Sequence, residues 1–148
     1  MSPISKLALG AAALCLSLST LAQTRDDVVH AVNAAVAHFQ KVGNDQALKD
    51  ISSQPEWKAN GLSVFVQKMD GTNVAHSTNA RLIGKNTMEI QDPNGKSFIK
   101  EMTQAAAKGE GWVDYVFMDP NTKKMAPRSA LVKRVAGYEG FVGASYSK

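Results

Sequence analysis

Between Leu62 and His76 the chain leaves few choices. Leu62, Val64 and Val66 alternate with Ser63, Phe65 and Gln67, and Asp70-Gly71 then supplies the residues of a tight reversal into Asn73–His76. A period of two sends successive side chains to opposite faces, and an Asp-Gly pair between such runs marks a β-hairpin. An isolated hairpin is marginal in water. The rest of the chain must therefore supply more strands and a layer to cover the apolar face.

Both are legible. Upstream, Val28, Val32, Ala35, Val36, Phe39 and Val42 recur at helical spacing. Thr24 and Asp27 open this stretch in the manner of a capping box, with Asp in place of the usual Glu or Gln, and Gly43 closes it. Asn44 and Asp45 are placed to cap a second, short helix over 46–52, and 54–61 has the Pro and Gly of a connection. Downstream, 77–95 is rich in Asn, Gly, Thr and Asp and reads as a long structured loop. A helix starts at Ser97, with Phe98, Ile99, Met102, Ala105 and Ala106 on one side, and ends at Gly109 and Gly111. Three strands follow: 111–117, then 125–135 after a turn at 119–124, and 141–146 after Ala136-Gly137. The fold class is α+β, a long N-terminal helix packed on a five-stranded antiparallel sheet.

The chain has 148 residues, enough for one ordinary domain. Residues 1–22 are set apart as a removable secretory signal. Lys6 precedes an apolar run from Leu7 to Leu18, and Thr20 and Ala22 have the spacing of an A-x-A-like cleavage site. A membrane anchor is the weaker alternative, because the run falls short of the roughly 20 residues of a spanning helix and Ser17, Ser19 and Thr20 dilute it. The division is thus 1–22 signal, 23–61 N-terminal helical segment and 62–148 sheet and pocket, the last two forming one domain. Cys15, the single cysteine, lies within the signal between Leu14 and Leu16, so lipidation is not expected and the exported chain has no thiol or disulfide. Of 17 basic and 13 acidic residues the signal holds one Lys and no acid, which leaves a formal charge of +3. The basic residues are scattered, which argues against nucleic-acid binding.

Along this frame lie Val64-Phe65-Val66 running into Asp70-Gly71, His76-Ser77 with Asn79, Gly84-Lys85-Asn86, Asp92-Pro93-Asn94-Gly95 and Phe98. Gly109, Gly111, Trp112, Val113 and Tyr115 follow, then Pro120, Val132-Lys133-Arg134, Gly143 and Tyr146. In order and spacing this set, over 62–147, resembles the single Cache domain, a PAS-like extracellular sensor module. The resemblance implies a PAS-like Cache fold with the long helix on one sheet face. A loop and short helix would roof a pocket on the other face. It also implies a small-molecule ligand, commonly a short organic carboxylate, and a periplasmic location. Members usually belong to membrane receptors, so a receptor partner or a homodimer through the N-terminal helix is implied as well.

Four residues are candidates for the pocket. Arg128 stands where the family pattern commonly has a basic residue, and its guanidinium could hold a carboxylate by two parallel hydrogen bonds. The alternative is an exposed strand Arg. Trp112 and Tyr115 would wall the pocket, although strict alternation puts them on opposite faces unless the strand is bulged. Core packing is the other reading of Trp112. His76 could donate to a carboxylate and make affinity depend on pH near its own titration, or it simply closes the strand. Leu131 stands where relatives often have Tyr, beside the small Ser129 and Ala130, which implies a departure in ligand.

Neither a catalytic constellation nor a cofactor or metal site is expected. His30 and His38 are two helical turns apart rather than one, Asp92 and Asn94 lack EF-hand spacing, and no G-x-S-x-G or phosphate loop occurs. Asp70-Gly71, Gly84 and Asp92 to Gly95 are assigned to backbone geometry. The expected function is non-catalytic binding and sensing of a small molecule in the periplasm. The competing reading is an interaction subunit of a membrane sensor or transport system, with a vestigial pocket.

Overall fold

The computed structural model describes residues 23–148; the signal assigned to 1–22 lies outside the described residues. Helix α1 (Arg25–Val42) starts from the expected capping box. Thr24 Oγ1 accepts from the Asp27 amide at 3.2 Å, and the Asp27 carboxylate accepts from the Thr24 amide at 3.0 Å. Gly43, at φ +86°, ends α1 and also begins α2 (Asn44–Ser53). Asn44 and Asp45, expected as caps, therefore lie inside α2. Glycine's freedom at positive φ let the chain re-enter a helix one residue earlier than side-chain capping required. The connection expected over 54–61 is a 3-10 turn (Pro55–Gly61) that buries Trp57.

Five strands follow: β1 (Ser63–Lys68), β2 (Asn73–His76), β3 (Glu110–Met118), β4 (Met125–Arg134) and β5 (Gly140–Ser147), with α3 (Phe98–Ala107) between β2 and β3. They form one antiparallel sheet in the order β2-β1-β5-β4-β3, so the first and last strands are neighbours at its centre. The structured loop expected over 77–95 runs on to residue 97, with one short 3-10 turn at Ala80–Leu82.

The sheet is covered on both faces. Val28, Val32, Ala35 and Phe39 of α1 pack with Val64, Val66, Leu131, Val142 and Ala144. On the other face Phe98, Ile99 and Met102 of α3 meet Phe65, Val113, Tyr115, Ala130, Val132 and Phe141. Each fully buried large apolar side chain is worth about 1.5–3 kcal/mol of transfer free energy, so both layers contribute to holding the sheet. Asp92 ties the roof to the edge strand: its carboxylate accepts from the amides of Asn94 (2.9 Å), Lys96 (3.0 Å) and Val116 (3.1 Å). Those bonds, the Lys96 amide foremost, hold its carboxyl below the usual range.

Candidate ligand-binding site

Between the sheet and its roof lies a cavity of about 620 Å³. Its floor is the face of β1 that reads as polar in sequence. Ser63 and Gln67 are buried, at 5% and 2% exposure, because α3 and the 77–97 loop cover this face in place of solvent. Among the described residues that line it are three basic side chains, Arg81, Lys123 and Arg128, and no Asp or Glu.

Arg128 is the innermost cation, 2% exposed. On β4 it pairs with Ser147 of β5 and Tyr115 of β3. Its Nη1 donates to Ser147 Oγ at 2.7 Å and its Nη2 to Ser145 Oγ at 2.8 Å. The Ser147 hydroxyl in turn donates to the Asp119 carboxylate, whose nearest oxygen is 3.7 Å from Nη1. Asp119 also accepts from the amides of Asn121 (2.7 Å) and Thr122 (2.9 Å). Its pKa is lowered, first by the Ser147 hydrogen bond, then by those amides and by the Arg128 charge. Two hydroxyls thus fix the guanidinium, and two of its five N–H groups are committed to neutral partners. Arg128 is thus a buried cation held by two hydroxyls and by the charge of Asp119 at 3.7 Å, and a guanidinium is the group that takes an anion through paired hydrogen bonds.

His76 lines the same cavity. Its Nδ1 accepts from the amides of Thr78 (3.2 Å) and Asn79 (3.0 Å), which places the proton on Nε2 and makes that atom a donor. Its ring stacks on Phe65, with centroids 5.9 Å apart. Burial, and then the nearby Arg128 charge, lower its pKa to about 4. A pH dependence of affinity near the titration of His76 therefore falls well below neutral pH, because desolvation and a like charge keep the ring neutral at pH 7.

Tyr115 is 8% exposed, lines the cavity and stacks on Phe98 at 4.7 Å. Trp112 does not join it. The β3–β4 register runs without a bulge from Glu110 to Met118, so Trp112, three residues before Tyr115, faces α1. There the Arg25 guanidinium carbon lies 4.3 Å from the ring centroid. Trp112 is corrected to a packing residue on the helix side. Leu131 also faces α1, so its departure from the family pattern does not alter the cavity wall. The structure thus brings His76, Tyr115 and Arg128 together and adds Ser145, Arg81, Lys123, Gln67 and Asn73, which sequence reasoning missed.

The single Cache domain 2 family model matches residues 23–147. The chain belongs to this family. A sensor histidine kinase, MctS of Rhizobium johnstonii, is 26% identical over 118 residues, 76% of this chain and 25% of the kinase. The chain thus spans about a quarter of that relative's length. Among solved structures, a methyl-accepting chemotaxis protein from Vibrio parahaemolyticus superposes with a TM-score of 0.69 at 20% identity, covering 82% of this chain and 86% of that one. A Cache chemosensory domain, described for its recognition of carboxylic acid, gives 0.69 at 22% identity over 84% and 99%. A periplasmic sensor domain of a chemotaxis protein gives 0.67 at 24% identity over 80% and 89%. These likenesses establish a PAS-like Cache fold. Sensor domains of this family bind small ligands, and no helix of the described residues is long and apolar enough to cross a membrane.

Proposed function

We propose that this Cache domain binds a small organic carboxylate in the cavity, in the periplasm after removal of residues 1–22. In this reading it reports occupancy to a membrane receptor partner and carries out no chemistry on the ligand. The observation that carries the reading is the charge of the cavity: Arg81, Lys123 and the buried Arg128 line it, with no acidic side chain among the described lining residues. A neutral His76 Nε2–H adds a donor without adding charge. The guanidinium would take the carboxylate, as its planar fork suits two parallel N–H···O bonds. Phe65, Phe98 and Ile99 would receive the carbon skeleton. The likeness to a domain that recognises carboxylic acid agrees with this assignment.

The test is thermal denaturation of the protein from Gln23 onward against small carboxylates, amino acids and amines. A carboxylate at a hundredfold excess over its Kd should stabilise the fold by about 2.7 kcal/mol. Stabilisation by amines alone, or by no small molecule, would sink the reading and turn the search toward a protein partner.

A further inference from the structure

Away from Arg128 the cavity has a second polar end that a simple fatty acid leaves unsatisfied. Gln67 and Asn73, paired across β1 and β2, are 2% and 1% exposed, and both line the cavity. Three of their side-chain atoms, Gln67 Oε1, Asn73 Oδ1 and Asn73 Nδ2, have no hydrogen-bond partner. Buried polar atoms are nearly always paired, and each one left unpaired costs about 1–3 kcal/mol.

The orientation of Gln67 is fixed by its neighbour. The Thr87 hydroxyl donates its one hydrogen to the Gly71 carbonyl at 3.0 Å, so it must accept from Gln67 Nε2, also at 3.0 Å. Gln67 Oε1 is thereby presented as an acceptor. Asn73 has its backbone engaged with Lys85 and Gly84, leaving the side-chain amide to offer a donor and an acceptor. Two acceptors and one NH2 suit an uncharged group that can donate, and they disfavour a carboxylate, which only accepts.

The two ends are well separated. Arg128 Nη2 is tied to Ser145, which pairs with Ser63, whereas Gln67 pairs with Phe141 four residues further along. At about 3.3 Å per residue those rows lie ~13 Å apart. Between them is the Phe65–Gly143 pair, where the Phe65 ring lies over Gly143 so closely that a Cβ there would collide with it. The cavity is polar at each end and apolar in the middle.

We propose that the ligand is a carboxylate carrying an uncharged hydrogen-bond donor, such as a hydroxyl or primary carboxamide, several carbons from the acid. Gln67 and Asn73 receive that donor. This rests on the carboxylate reading of the Arg128 end and names the class of acid it selects. A two- or three-carbon acid would occupy only one end of the cavity.

The experiment is calorimetry of the protein from Gln23 onward with four six-carbon acids: hexanoate, 6-hydroxyhexanoate, adipamate and adipate. The hydroxy acid and the amide acid should bind about tenfold tighter than hexanoate, or better, and adipate should gain no such advantage. Gln67→Met, close in shape, removes one of the two acceptors and should shrink the advantage of the hydroxy and amide acids over hexanoate, a ratio measured within the variant. If that variant fails to fold, the acid series on the native protein still decides. Hexanoate binding as tightly as its hydroxylated and amidated counterparts overturns the inference while leaving the carboxylate reading intact. No binding by any of the four overturns the inference, and the carboxylate reading falls with it only if no other small carboxylate stabilises the fold.

Discussion

Acidification should destabilise this domain through one imidazole before its carboxylates titrate. His76 has a folded pKa of about 4 against 6.5 for the free side chain, because burial and then Arg128 oppose its charge. Between those values the unfolded chain binds the proton and the folded one does not. Stability contributed by this group is therefore complete above pH 6.5 and falls as pH drops toward 4. The 2.5-unit gap amounts to about 3 kcal/mol, of which about 2 should be gone by about pH 5. The depressed carboxyls, among them Asp92 and Asp119, act at lower pH. Their stabilisation is present above the ordinary carboxyl value of 3.8 and is lost below it, outside this window. Urea denaturation across pH 4 to 7.5 measures the effect, with His76→Gln as the comparison. The variant loses the two amide hydrogen bonds made to Nδ1, so it should be weaker throughout, but it should lack the His76 part of the slope. An NMR titration of the His76 ring gives the folded value directly. A ring that titrates near 6.5, or equal slopes for the two proteins, would refute the argument. The same neutrality predicts carboxylate affinity that is flat from pH 6 to 8.

Three further outcomes follow from the geometry. Arg128→Ala should weaken binding of a stabilising carboxylate at least about tenfold, or roughly 1.4 kcal/mol, by calorimetry, and unchanged affinity would remove Arg128 from the site. Trp112→Phe should leave ligand affinity within about twofold while lowering the melting temperature, since Trp112 packs under Arg25 on the opposite face; a large loss of affinity would contradict that placement. Thr24→Ala removes the hydroxyl that accepts from Asp27 and should cost about 1 kcal/mol in chemical denaturation, with no change in binding.

The elements were legible because their signals are local. The capping box, the α1 periodicity, the Asp-Gly hairpin and the α3 stripe each specify a segment within a few residues. The opposition of Trp112 and Tyr115 across β3 was also legible from alternation, and the unbroken register leaves no bulge to evade it. The polar cavity wall was not. By alternation alone, Ser63 and Gln67 on β1, and Ser145 and Ser147 on β5, cannot be told from the wet side of a half-buried strand. Only the roof from 77–97 and α3 turns that side inward, and the roof is a tertiary feature. Arg128 was named from resemblance, whereas the serines that hold it lie 19 and 17 residues away on β5, across the β4–β5 hairpin, and only the pairing register brings their hydroxyls to the guanidinium. His76 was named, but its depressed titration was not legible, because burial and Arg128 act through space.

The central claim is that Arg128 anchors a carboxylate inside the cavity. A crystal structure of the domain with the acid that most stabilises it tests this most directly. The account predicts the carboxylate oxygens about 3 Å from the Arg128 guanidinium, with His76 Nε2 within reach and the carbon chain running toward Phe65. A ligand bound outside the cavity, or one with its carboxylate turned to Gln67 and Asn73, would contradict it.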